Sequence, residues 1–192
     1  MLKKLNKNNM GKKILVVVDV QYDFCNPNGA LFVPGGEEVV NKVKDIIPNF
    51  DYVIFTKDSH GLNHCSFKEN GGIWPVHCVW NSIGEGIPVE LLKATKDYGI
   101  VNKGGNDNEE EYGADANAIM TAHDENPEEC EFVFCGIHAL YCVKETIKNF
   151  IEKYPQVKVS ALTDCIAPLD CDEFNTFCIE NGITQKTIAD FL

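Results

Sequence analysis

Ile14-Leu15-Val16-Val17-Val18-Asp19 is an unbroken apolar run closed by an acid. A strand with one wet face alternates apolar and polar residues, so this run, which does not alternate, reads as a central strand covered on both sides. Working outward, further short apolar runs bounded by turn residues occur at 51–56, 99–101, 131–135 and 157–162, with 13–19 as the first of the series. Helical patterning falls between them at 37–47, in a short stretch opening at Pro88, and at 115–123, 142–153 and 172–181. In the fourth of these, Val143, Ile147, Phe150 and Ile151 share one face, while Lys144, Glu145, Lys148, Asn149 and Glu152 lie mostly on the other. Strands alternating with helices predict an α/β fold: an open parallel sheet covered on both faces. In such sheets ligands bind beyond the carboxyl ends of the strands. Asp19, Asp58, Lys103 and the loop before Cys142 each follow such an end.

The chain has 192 residues, enough for one sizeable core, and nothing in its composition marks a second. We expect a single domain over 13–192, preceded by a polar, lysine-rich, flexible tail at 1–12 that lacks the apolar core of a secretory signal. No apolar run approaches the length needed to cross a bilayer. The nine cysteines are odd in number and contain no Cys-x-x-Cys pair, which argues against a disulfide framework, a thioredoxin-type site or a zinc ribbon. Reduced thiols in a cytoplasm fit better. A formal net charge of −12 with no basic cluster outside the tail argues against nucleic acid as a partner, and the lack of a long apolar run against a membrane. The absence of arginine removes the bidentate clamp for carboxylates and phosphates, and so favours a small neutral substrate.

Cys142 stands where a strand gives way, through Gly136-Ile137-His138-Ala139-Leu140-Tyr141, to a helix. A helix N-terminus offers free N–H groups and the positive end of the helix dipole, which favour a thiolate and can hold an oxyanion. Asp19 ends an otherwise apolar strand, where an uncompensated carboxylate would be costly, so a paired or functional role follows. Asp23, in Gln21-Tyr22-Asp23-Phe24, is its rival, but a turn role accounts for it. A free aspartate is a weak base toward a thiol, so the thiol must be acidified, and Lys103 is the cation placed to do it. Asp58, His60, His64 and His77 form a run of metal-type ligands whose i, i+2 spacing lets an extended segment aim two at one ion. Zinc, iron or manganese suit such a set. Phe24 and Trp74 are candidates to stack on a flat substrate ring. The acidic stretch Asp107-Asn108-Glu109-Glu110-Glu111 reads as a solvated loop, with a lid as the alternative. Together these residues describe a cysteine hydrolase with a metal-anchored substrate.

The motifs resemble those of the nicotinamidase branch of the isochorismatase-like cysteine hydrolases. The resemblance rests on Asp19-Val20-Gln21-Tyr22-Asp23-Phe24, Asp58-Ser59-His60, Asn63-His64-Cys65-Ser66-Phe67, the segment from Gly71 to Val79, Asn102-Lys103-Gly104 and Tyr141-Cys142-Val143. It implies a three-layer α/β/α fold with a mostly parallel sheet and an Asp19–Lys103–Cys142 triad. It also implies an oxyanion hole from the N–H groups of His138 and Cys142, with a cis peptide before His138. Asp58, His60 and His77 would bind a divalent metal, zinc first with iron or manganese as alternatives, and His64 is a further candidate ligand. The implied reaction is hydrolysis of nicotinamide to nicotinate and ammonia through a thioester, in NAD metabolism, by a homo-oligomer. Relatives often read Ala-Thr-Asp before the Tyr-Cys pair; here His138-Ala139-Leu140 sets a bulky polar side chain beside the oxyanion hole. Two alternatives stay open: hydrolysis of another small amide or ureide, and a catalytically silent metal- or ligand-binding relative.

Overall fold

The computed structural model describes residues 11–123 and 126–192. Six strands, β1 (Lys12–Val18), β2 (Tyr52–Asp58), β3 (Tyr98–Lys103), β4 (Cys130–Ile137), β5 (Lys158–Ala167) and β6 (Thr184–Lys186), form one sheet in the order β3-β2-β1-β4-β5-β6. Every pairing is parallel. The helices are α1 (Tyr22–Cys25), α2 (Gly36–Ile46), α3 (Val89–Ala94), α4 (Ala116–Thr121), α5 (Lys144–Lys153) and α6 (Asp172–Glu180). In contact, α2 meets α1 and α3, and α4 meets α5, so two helical groups flank the sheet in an α/β/α arrangement. Among the described residues, no helix is long and apolar enough to cross a membrane.

The opening run behaves as its composition requires, since Ile14, Leu15, Val16, Val17 and Val18 are all fully buried between β2 and β4. Each such side chain contributes on the order of 1.5–3 kcal/mol by leaving water. α5 sinks Ile147 and Phe150 into the same core, with Val143 just ahead of it. Two expectations need correction. The predicted tail over 1–12 falls mainly on residues 1–10, which lie outside the described residues, but Lys12 already belongs to β1. β6 went unread because Thr184-Gln185-Lys186 has no apolar run; it is a strand only through its pairing with β5.

The strand order reverses direction between β1 and β4, and a crevice opens beyond the carboxyl ends of strands at such a switch point. Val18 pairs with Gly136 and also with Thr56, so the residues that follow β1 and β4 emerge side by side. Gly136 has φ of 125°, and a Cβ there would lie 2.0 Å from the Val18 carbonyl oxygen, so only glycine lets the two strands close up.

Candidate active site

Asp19 leaves β1 with φ of 49°, a left-handed conformation unusual for a residue with a side chain and characteristic of functional positions. Its Oδ1 accepts from Thr56 Oγ1 at 2.6 Å, and its Oδ2 lies 2.8 Å from Lys103 Nζ. Lys103 and Asp58 are the closing residues of β3 and β2, paired in register, and their side chains form a second, close ion pair. Lys103 Nζ also lies 3.7 Å from Cys142 Sγ. One carboxylate oxygen each from Asp19 and Asp58, and Cys142 Sγ, fall within 4.8 Å of one another. The three residues expected to act together from three different strand ends therefore meet.

Cys142 occupies a five-residue π turn, Ala139–Val143, capped by His138 and running straight into α5. The helical segment thus opens earlier than the sequence pattern indicated. The expected cis peptide joins Ile137 to His138. Burial acts on the Cys142 thiol in the opposite sense to the helix end and Lys103. Burial pushes its thiol well above the ordinary value, and Lys103 offsets only part of that because Asp19 and Asp58 oppose it. Burial raises the Asp19 carboxyl too, against the pull of Lys103. Asp58 is also penalised by burial, but Lys103 and His60 outweigh that and hold it below the usual carboxylate range. Lys103, buried among these groups, stays protonated despite desolvation.

Asp58, His60 and His77 bring one ligand atom each within 4.8 Å of one another, all buried. His60 Nδ1 is 2.8 Å from the Gly104 carbonyl oxygen and His77 Nδ1 is 2.8 Å from that of Pro75. A ring nitrogen that donates to a carbonyl leaves Nε2 with its lone pair, which is the form that binds a metal. Gly104 has φ of 69°, and a Cβ there would meet the His60 ring at 2.3 Å, so glycine is needed for that contact. His64 lies outside the three-residue set but stacks on His60, with ring centroids 4.1 Å apart. Its Nδ1 meets Ser66 Oγ at 2.8 Å, and its Nε2 is buried without a partner.

These groups open onto a cavity of about 240 Å³ whose wall includes Phe24, Trp74, His77, Tyr112, His138 and Cys142. Phe24 packs on His77 at 5.5 Å between ring centroids, and Trp74 meets Tyr141 edge-on at 5.4 Å. Both aromatic candidates thus line the same space as the thiol. Asp23 lies in the short helix α1, and its carboxylate ties neighbouring loops, accepting the amides of Cys78 at 2.7 Å and Ala30 at 3.0 Å. The acidic stretch is more than a solvated loop. Glu110 lines the cavity, Glu111 accepts the Gly104 amide at 3.0 Å, and the Asp107 carbonyl accepts from the Cys65 amide at 2.8 Å.

Sequence reasoning missed Thr56 and Gln21. Thr56 is the polar residue after Val53-Ile54-Phe55, and that break in an apolar strand was its signal. Gln21, fully buried, clasps Asp58 from both sides: its Oε1 accepts the Asp58 amide at 2.8 Å, and its Nε2 donates to the Asp58 carbonyl at 2.8 Å and to that of Glu85 at 2.9 Å.

No family model matches the chain. Nicotinamidase of Escherichia coli is 30% identical over 212 aligned positions, covering 95% of this chain and 98% of that protein. Nicotinamidase of Saccharomyces cerevisiae is 30% identical over 200 positions, covering 83% of this chain and 90% of its own. The chain belongs to the nicotinamidase family. Among solved structures, the zinc complex of Pyrococcus horikoshii pyrazinamidase superposes with a TM-score of 0.77 at 30% identity, over 92% of this chain and 99% of that one. The nicotinamidase-family fold therefore extends over nearly all of the chain.

Proposed function

We propose that the protein is a nicotinamidase, a hydrolase of the carboxamide C–N bond that converts nicotinamide and water to nicotinate and ammonia. The observation that carries this reading is the meeting, at one cavity, of a buried thiol, a carboxylate–lysine pair and an Asp58–His60–His77 ligand set. The chain from β1 onward acts as a single catalytic domain, working on a small neutral carboxamide in the cytoplasm.

Cys142 starts as a neutral thiol. As Sγ bonds to the carboxamide carbon, Asp19 takes the thiol proton; its raised basicity narrows the gap that a free aspartate would face. Lys103 holds Asp19 in place and keeps it ionised beforehand. The N–H groups of His138 and Cys142 receive the oxyanion. When the C–N bond breaks, Asp19 returns the proton to the departing nitrogen, releasing ammonia and leaving a thioester. Water then attacks the thioester carbon, its proton passing through Asp19 to Sγ, and nicotinate leaves. Phe24 and Trp74 sandwich the ring and exclude water. Asp58, His60 and His77 would hold a divalent metal, zinc before iron or manganese, with His64 beside them. Bound there, the metal supplies a Lewis-acid anchor for the ring nitrogen.

The test is ammonia release from nicotinamide by purified protein, before and after chelation and metal add-back, with Cys142→Ala as control. Release that needs the metal and disappears in the variant is expected. Release by Cys142→Ala, or none from folded, metal-loaded parent protein, would overturn the reading.

A further inference from the structure

His138 contributes more than a backbone amide. The Leu140 N–H donates to His138 Nδ1 at 3.1 Å, so Nδ1 is an acceptor and the ring hydrogen resides on Nε2. Nε2 has no partner among the described residues, and the ring, half-buried and set edge-on against Tyr141 with centroids 5.1 Å apart, forms part of the cavity wall. Burial holds the imidazole below its ordinary pKa, which keeps it neutral. His138 thus brings a neutral ring with a free N–H to a cavity whose wall is mainly apolar, from Phe24, Leu31 and Val33 among others, with Asp58, His77 and Glu110 as its ionisable members. In an apolar pocket a donor without a partner penalises ligands that cannot accept from it.

We propose that His138 is a specificity-determining residue whose Nε2–H reads a hydrogen-bond acceptor next to the carboxamide of the substrate. The assignment rests on the functional reading above, in which the amide of His138 faces the reacting carbonyl, so that its ring reaches the atoms beside that carbonyl. The favoured substrates are aromatic carboxamides carrying a ring nitrogen, or another small acceptor, ortho to the carboxamide. Nicotinamide, with C–H at both such positions, remains a substrate and is turned over less efficiently than a carboxamide of the same shape that carries the acceptor.

Nicotinamide and pyrazinamide differ at that position, C–H in one and N in the other, and have nearly the same shape. The experiment compares kcat/KM for the pair in the parent protein, in His138→Phe, which keeps bulk without a donor, and in His138→Gln, whose amide nitrogen stands near the place of Nε2. The expected result is a pyrazinamide-to-nicotinamide ratio that falls on the order of tenfold in His138→Phe and is largely retained in His138→Gln. A ratio unchanged in His138→Phe, or lost equally in both variants, would overturn the proposal, because bulk alone would then explain the residue. Calorimetric binding of pyrazinoate and nicotinate to the same three folded proteins gives a readout independent of turnover. Hydrolysis of neither amide, with the binding preference intact and sensitive to His138→Phe, would refute the nicotinamidase reading and leave the donor assignment standing.

Discussion

Two buried ion clusters sit at opposite ends of the sheet, and they are mirror images in charge. At the carboxyl ends, Lys103 lies between Asp19 and Asp58; at the amino end of β4, Glu131 lies between Lys158 at 3.2 Å and Lys186 at 2.5 Å, with Ser160 Oγ donating at 2.5 Å. Their solvation differs. The lysine side chains around Glu131 are 64% and 20% exposed and can return to water, whereas that of Lys103 is 3% exposed. Their acidity differs too. Burial penalises Glu131 and Asp19 alike, yet Lys186, Ser160 and Lys158 outweigh it at Glu131 and hold that carboxyl below its usual range, while Asp19 is left above its own. A charge cluster that only ties strands together is fully satisfied. In the one beside the thiol, the two carboxylates that share Lys103 differ, Asp58 held below its usual range and Asp19 above it.

The sharpest way to break this contrast is to remove the thiol. Cys142→Ala should lose more than about a thousandfold in ammonia release while melting near the parent temperature, because no ion pair is disturbed. Measured activity within tenfold of the parent would detach the Lys103 cluster from catalysis. Next is Lys103→Met, which strands two carboxylates in the interior. It should abolish activity and cost about 3–5 kcal/mol, read by urea unfolding. A variant as stable as the parent would mean that these carboxylates are not held by charge. Third comes Gln21→Leu, which leaves the Asp58 amide and two carbonyls unpaired. It should lower stability by about 1–3 kcal/mol and weaken metal retention by at least about tenfold, measured by competition with a chelator. Unchanged retention would show that the clasp on Asp58 serves the backbone alone.

The contrast also explains what was legible in the sequence. The apolar run 14–18 could only be a central strand, and the chemistry-bearing residues stood at strand ends, so fold class and site location could be read together. Asp19, Asp58 and Lys103 stood out because charged residues closing apolar strands need partners. Thr56 and Gln21 did not, because a hydroxyl or an amide carries no charge to demand explanation, and their partners lie 37 residues or more away in the chain. The burial of Cys142 was not legible for a related reason. A helix end and a lysine can be inferred locally, but the burial that outweighs them is a property of the assembled site. β6 was invisible because a three-residue edge strand is made by its neighbour.

The smallest expected effect tests the other half of the comparison. Glu131→Gln keeps the shape and removes the charge, and the two lysines it releases can be solvated, so the cost at neutral pH should be about 1–2 kcal/mol with kcat unchanged. The sign of its pH dependence follows from the lowered carboxyl. As pH falls, the unfolded chain binds a proton at Glu131 near the ordinary value of 4.5, before the folded protein does. The stabilisation is therefore complete above that value and is lost as pH drops through the lower folded value. Urea unfolding of parent and variant should show a gap that is constant from neutral pH down to about pH 5 and closes in stronger acid. A gap that persists undiminished in acid would assign the contribution of Glu131 to hydrogen-bond geometry instead of charge. The two clusters would then differ in kind and not only in degree of satisfaction.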